Sequence, residues 1–249
     1  LLLILFAIFA IVVMLVFHKI VRAVLDKLTP GYKGDFAINI HNSVSTILAL
    51  IIAFSLVQAV STFKQVEHIV RQESVRINNL DRLLVRYGSP ELETVRDALR
   101  KYAQSIVTDE WPEMDSGHMS PKTDALFKPV SKGVISIKPT TPREVALYNE
   151  MLKIADSLVD SRSDRLDAAE FAIPPILWLM VIALMLLKTV LSAFAERSLS
   201  ANIVLSVQMA AFSSLLCLTF TFDEPLKGEA GIKPTVVMEV IDVISKRAD

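Results

Sequence analysis

Cysteine occurs once, as Cys217 inside an apolar run, so the chain can close no internal disulfide and can supply no thiolate-rich zinc or iron-sulfur site. Glycine is nearly as scarce. The 7 glycines form neither GxGxxG nor GxxxxGK[ST], which excludes a Gly-rich phosphate cradle. The four histidines, His18, His41, His68 and His118, share no HExxH spacing and complete no recognisable nucleophile motif. No enzyme and no cofactor is therefore expected. Basic excess is also missing: 26 Lys plus Arg stand against 27 Asp plus Glu, a formal net charge of -1, so nucleic acid is not a partner.

What the sequence has is apolar length. Of 249 residues 52% are apolar, and the mean hydropathy of +0.46 exceeds that of an ordinary soluble domain. Four stretches have or approach the length that crosses about 30 Å of hydrocarbon. The first, Leu1 to Phe17, begins without Met, so the natural start is expected upstream. The basic residues Lys19 and Arg22 follow it with no small-x-small cleavage site, which favours a retained helix over a signal peptide. The second is Phe36 to Phe63, longer than a perpendicular crossing needs. The third runs from near Phe171 through Pro174-Pro175 to Ala195 with Lys188 inside it, and the fourth is Ser198 to Phe222. Only Glu196 and Arg197 separate the last two, which predicts a tight transmembrane hairpin.

The charged segment between the second and third spans has helical period throughout. Phe63, Val66, Val70, Ile77, Leu80, Leu84 and Tyr87 keep three-four spacing, so the second span is expected to continue to Tyr87, with Gly88 as its stop. Ser89-Pro90 starts a helix on Leu92, Val95, Leu99, Tyr102 and Ile106 that Pro112 is expected to end. Ser120-Pro121 starts a short helix to about Lys128, with Pro129, Gly133 and Pro139 marking a loop. Thr141-Pro142-Arg143-Glu144 reads as a capping box opening a long helix toward Pro174-Pro175. The expected fold is all-α integral membrane, with four transmembrane helices and a helical-bundle extramembrane domain between spans two and three. The expected divisions are 1–63 for spans one and two, 64–172 for the antiparallel helical domain, 173–222 for the hairpin and 223–249 for an amphipathic tail. In that tail Val237, Val240, Ile241 and Ile244 form the apolar face of a helix expected to dock on the bundle.

Four motifs in order, Glu110-Trp111-Pro112-Glu113-Met114, Arg162-Ser163-Asp164-Arg165-Leu166, Ile173-Pro174-Pro175-Ile176-Leu177-Trp178 and Phe222-Asp223-Glu224-Pro225-Leu226-Lys227-Gly228, resemble the bacterial bestrophin-like domain family, a family of unknown function. The likeness extends from about Asn42 onward. Its departure is Pro225-Leu226, where Pro-Phe is usual. The resemblance implies kinship with the bestrophins, pentameric anion channels with four spans per subunit. It thereby implies a homo-oligomer, a pentamer by that analogy, set among membrane lipids as a multi-pass protein of the cell inner membrane.

A channel needs a water-tolerant face on a span. In the second span Ile38, His41, Ser45, Leu48, Ile52, Ser55, Ala59 and Thr62 fall on one seam at a period of 3.5. Two readings stay open. Seams from several subunits can surround an axis, making Ile38, His41, Ser45, Leu48, Ile52, Ser55 and Thr62 pore-lining candidates with Leu48 and Ile52 as a hydrophobic constriction. Alternatively, the small and polar residues are a packing surface between membrane helices, the favoured reading. Lys188 is expected to snorkel to the headgroups.

Glu73 interrupts an apolar seam and needs a cation, for which Arg162 or Arg165 across the bundle is the candidate. Asp109, Glu110, Glu113 and Asp115 crowd around Trp111 at no known calcium-loop spacing. They are expected to be a solvated helix end or partners of those arginines, and no metal is expected. The basic residues Lys19, Arg22, Lys27, Lys33 and Arg197 in short connections place those loops in the cytoplasm and the helical domain outside, whereas the bestrophin resemblance implies the reverse. The leading functional reading is an oligomeric bestrophin-like anion channel with span two along its axis. The alternative is a non-conducting accessory or assembly subunit that binds a protein partner through its helical domain.

Overall fold

The computed structural model describes residues 2–28, 35–115, 118–194, 198–228 and 230–247. Every regular element among them is helical: α1 Leu2–Leu28, α2 Asp35–Tyr87, α3 Glu93–Ser105, α4 Trp111–Asp115, α5 Pro121–Ile135, α6 Pro142–Ala168, α7 Pro175–Ser192, α8 Leu199–Asp223 and α9 Thr235–Lys246. The connection holding Lys33 and the turn holding Glu196 and Arg197 lie outside the described residues, as do the side chain of Asp115 and most side chains before Val16.

The chain divides into two compact units, one of residues 1–61 and 172–223, the other of residues 62–171 and 224–249. In the first, α2, α7 and α8 are each long and apolar enough to cross a membrane. Their outward surface is greasy: Ile176, Leu179, Ile182 and Leu186 on α7 and Ile203, Val204, Val207 and Phe220 on α8 are exposed. Apolar area left uncovered on this scale suits hydrocarbon, not water. The interior is a small cluster of Leu48, Ile52, Val181, Met185 and Phe212. α1 packs on both α7 and α8.

The helix ends in this unit follow from proline chemistry. Pro174 and Pro175 have no N–H, so the first turn of α7 begins with amide donors already removed, and Pro175 occupies the first helical position. Just before them, Ile173 N–H donates to Asp223 Oδ1 at 2.6 Å, while Asp223 Oδ2 accepts from Trp178 Nε1 at 3.0 Å. One carboxylate thus fastens the start of α7 to the end of α8.

The second unit is a bundle around Val70, Ile77, Leu80, Leu84, Leu99, Tyr102, Ile106, Val130, Val134, Met151 and Leu158. α2 is a single helix of 53 residues ending at Tyr87, where Gly88 takes φ +79°, a conformation that costs glycine little. Thr141 Oγ1 accepts from Glu144 N–H while Glu144 Oε2 accepts from Thr141 N–H, a complete capping box for α6.

Two proline boundaries expected from the sequence are not where the helices stop. Beyond α3 the chain makes a π turn over Ile106–Glu110 and runs on as α4 through Pro112 to Asp115. A wide turn absorbs a residue that lacks an N–H, and its extra residue rotates Glu110 into the interior. Pro129 lies inside α5, which continues to Ile135. Both Pro129 and Ala125, whose carbonyl loses its helical partner, are exposed, while Thr123, Val130 and Val134 on the other face are buried. The broken hydrogen bond faces solvent, so burial of the opposite stripe outweighs it. The tail helix α9 docks in this unit, with Val237 and Ile244 fully buried.

Candidate functional site

The seam of α2 picked out by its period is the face that packs inside the first unit. Leu48 and Ile52 have no exposed surface, and His41, Ser45 and Ser55 are buried with them; Ile38 and Thr62 are half-buried. Leu48 and Ile52 meet Val181 and Met185 of α7 and Phe212 of α8. Leu48 and Ile52, the residues expected to form a constriction, are thus buried in the interior of the first unit.

The opposite face of α2 is uncovered. Asn39, Asn42, Ser43 and Thr46 are exposed along it, followed by Leu50 at 71%, Ala53, Phe54 at 65% and Val57 at 68%. Ser43 Oγ and Thr46 Oγ1 each donate to the carbonyl four residues earlier, at 3.1 and 3.0 Å, so neither hydroxyl hydrogen is stranded in an apolar medium. The Asn39 and Asn42 amides add both donors and acceptors. Phe36, 70% exposed, opens this face, which then carries polar side chains from Asn39 to Thr46 and apolar ones from Leu50 to Val57.

Charge is buried in the same unit. Lys188 does not reach outward: the residue has no exposed surface, and its Nζ donates to Gln208 Oε1 at 3.0 Å, lies 3.7 Å from Met209 Sδ and sits 5.0 Å from the Phe212 ring centre. Four methylenes would let it snorkel, but α8 closes over it with an amide, a thioether and an aromatic face that stabilise an ammonium. His41 contacts the Lys188 carbonyl through Nδ1 and Gln208 Oε1 through Nε2, both at 3.2 Å. His18 Nδ1 lies 2.8 Å from Ser192 Oγ.

In the second unit the charges expected to meet do so. Arg165 donates through Nε to Glu73 Oε2 at 2.5 Å and through Nη2 to Glu110 Oε2 at 2.5 Å, all three residues without exposed surface. Arg162 Nη2 donates to the other Glu110 oxygen at 2.6 Å, and its Nη1 reaches Asp124 at 3.1 Å. Two buried carboxylates thus face two guanidinium groups, and the net charge of the four cancels. Burial pulls Arg165 and Arg162 toward neutrality, but Glu73 and Glu110 outweigh it at Arg165, and chiefly Glu110 at Arg162, holding both above the ordinary arginine value. Tyr102 Oη donates to Glu73 Oε1 at 3.3 Å; burial first, then the Glu73 charge, pushes that phenol well above its usual range. Of the remaining acidic crowd, Asp109 pairs with Lys122 at 2.7 Å. Among the described residues no group of three or more metal-ligating side chains occurs.

A second buried network was not anticipated. Asp81, without exposed surface, accepts from Arg96 Nε at 2.9 Å and from Arg247 Nη1, while Arg247 Nη2 donates to Asn78 Oδ1 at 2.9 Å. It joins α2 to α3 and to the residue after α9. Asp81 stands next to Leu80 in the apolar seam, which was the signal available for it. Asp223 was likewise visible only as part of a motif.

The bestrophin-like domain matches the chain over residues 3–237. Among solved structures, two variant forms of a bacterial bestrophin homologue from Klebsiella pneumoniae resemble it with TM-scores of 0.74 and 0.73, each over 96% or more of this chain and 97% or more of the other, at 13% and 12% identity. A crystal structure described as a membrane protein aligns with a TM-score of 0.71 over 96% of this chain and 97% of its own, at 12% identity. At such identities the likeness is one of fold. No curated protein matches.

Proposed function

From the premise that the chain belongs to the bestrophin-like family, we propose that it is a homo-oligomeric ion channel of an inner membrane, crossing it four times through α1, α2, α7 and α8. Anions are the expected carriers and five the expected number of subunits, both by kinship. The observation that carries the reading is the division of labour on α2. One face is consumed by packing against α7 and α8, while the face bearing Asn39, Asn42, Ser43, Thr46, Leu50, Ala53 and Val57 is left for contacts outside the subunit. Copies of this face around an axis would offer amide groups to a partly dehydrated ion, then a ring of Leu50 and Phe54 side chains as a dewetting constriction. The candidate lining thus moves from the Leu48 seam to the opposite side of the helix. The protein is assigned no catalysis.

Purified protein in liposomes tests the reading. Chloride flux is expected, and it should rise when Leu50 is replaced by Ser. Absence of flux at every pH and voltage, from particles that show no central hole, would exclude a channel and leave the accessory-subunit alternative, whose mark is fixed-stoichiometry co-purification with a larger complex.

A further inference from the structure

The first unit contains a cavity of about 200 Å³ lined by His18, Lys19 and Arg22 of α1, Ser192 of α7 and Asn202, Leu205, Ser206 and Met209 of α8. We infer that it is a binding site for one phosphate group, the phosphodiester of an anionic phospholipid or inorganic phosphate.

Three observations lead there. The first is the donor set. Lys19 and Arg22 bring two permanent cations, and no acidic residue is among the described residues that line the space. Arg22 Nη1 also donates to Asn202 Oδ1 at 3.4 Å, which brings a donor-rich amide beside the guanidinium. Ser192 has one hydroxyl hydrogen and gives it to the Thr189 carbonyl at 2.7 Å, so His18 Nδ1 must donate in its 2.8 Å contact with the same oxygen. The histidine therefore carries its hydrogen on Nδ1 even when neutral.

The second observation is a buried cation behind the wall. Lys188 stands one turn before Ser192 on α7, fully buried, and among the described residues its partners are Gln208, Met209 and Phe212, none of them anionic. Met209 touches Lys188 Nζ and also lines the cavity. A buried ammonium in a low-dielectric surround is costly without a countercharge nearby. An anion in the adjoining cavity supplies one.

The third is placement. The cavity lining includes Ser192 at the end of α7 and Asn202 in the first turn of α8, and the helices that bear it, α1 and α8, also carry the exposed apolar residues Ile20, Val24 and Ile203. Basic pockets between membrane helices at their ends meet the level of lipid phosphates. Leu205 and Met209 give the space an apolar side suited to the glycerol end of a headgroup.

The test uses the full chain and reads binding, so it stands apart from any result on conduction. Protein is taken into nanodiscs of phosphatidylglycerol or of phosphatidylcholine, and lipid retention is measured by native mass spectrometry. Inorganic phosphate is titrated separately against detergent-solubilised protein with phosphorus NMR. The doubly substituted Lys19→Gln, Arg22→Gln protein is compared with Lys27→Gln, which alters a residue of α1 outside the cavity lining. Retention of phosphatidylglycerol, weakened roughly tenfold or more in the double variant and unchanged in the control, supports a lipid source. Equal retention of both lipids with phosphate line broadening that disappears in the double variant supports the free anion. If neither probe distinguishes the double variant from Lys27→Gln, the inference is wrong. Should the double variant fail to assemble, Ser206→Leu, which fills the space without altering charge, must lose the same binding.

Discussion

Arg165 Nε approaches Glu73 Oε2 to 2.5 Å with both side chains sealed from solvent, an ion pair between residues 92 positions apart in sequence. Glu73 breaks an otherwise apolar seam of α2 and would be prohibitive alone. Replacing it with Gln keeps the shape but leaves the four-charge network with an excess positive charge in the core. Glu73→Gln is expected to cost about 3 kcal/mol, and the double Glu73→Met, Arg165→Met to recover much of the loss, since Arg162 and Glu110 still pair. Denaturant unfolding of the purified protein measures both. A single-variant loss below about 0.5 kcal/mol, the level of surface substitutions, would mean that the pair is not buried as described.

Tyr102 gives this network a pH signature. Its pKa is raised well above 10.0 in the folded chain, by burial and then by Glu73. An unfolded tyrosine ionises near pH ~10. Between that value and the higher folded one, only the unfolded chain releases the proton, so stability is complete below about pH 10 and falls as pH rises beyond it. Tyr102→Phe should flatten the alkaline limb of the unfolding midpoint plotted from pH 7 to pH 11. An unchanged slope would show that another group sets it.

Leu48 and Leu50 stand two residues apart on opposite faces of α2 and should respond oppositely. Leu48 has no exposed surface and Leu50 is 71% exposed within the single chain. Leu48→Ala is expected to cost roughly 2 to 5 kcal/mol of folding stability. Leu50→Ala should cost far less there and instead alter conductance or assembly. Reversed results from melting curves and liposome flux would restore the Leu48 seam as the lining.

Asp223 is expected to tolerate no amide. With Asn in its place, the group facing Trp178 Nε1 or Ile173 N–H becomes a second donor, and a buried donor is stranded between α7 and α8. Asp223→Asn should lower stability by about 2 kcal/mol, and Trp178→Phe should relieve part of that penalty. Tryptophan fluorescence of Asp223→Asn should report the altered environment of Trp178; an unchanged spectrum with unchanged stability would rule out the clamp.

Much of the helix layout was legible because it depends on local signals. The three-four seam through Tyr87, the glycine stop at Gly88 and the capping box at Thr141 all act over a single turn or a regular period. Pro112 and Pro129 were misread for the complementary reason. A missing N–H ends a helix only when no wide turn or solvent compensates, and neither compensation is visible without knowing which face is buried. The faces of α2 leave two readings open in the sequence, of which packing is the favoured one: periodicity identifies a seam around Leu48 and Ile52, and its contacts, Val181, Met185 and Phe212, lie on other helices. Lys188 was misassigned because its stem length permits snorkelling, whereas Gln208, Met209 and Phe212, on another helix, hold it in.

At Gly133 α5 lies directly against Val95 of α3. A Cβ added there would lie 2.4 Å from Val95 Cγ2 and 3.1 Å from Val95 Cγ1. Valine is stiff at χ1 and cannot swing both methyls away, so one of the two helices must shift. Gly133→Ala gains helix propensity of about 1 kcal/mol, and the clash should outweigh it by overpacking of about 1 to 3 kcal/mol. The net effect is therefore destabilising or, at the least, well short of the gain an exposed helical glycine would show. Val95→Ala removes both offending methyls, so Gly133→Ala should be more favourable in that background than in the native one by about 1 kcal/mol or more. A double-mutant cycle from unfolding curves measures the coupling. Purely additive effects would mean that α3 and α5 do not meet at this glycine.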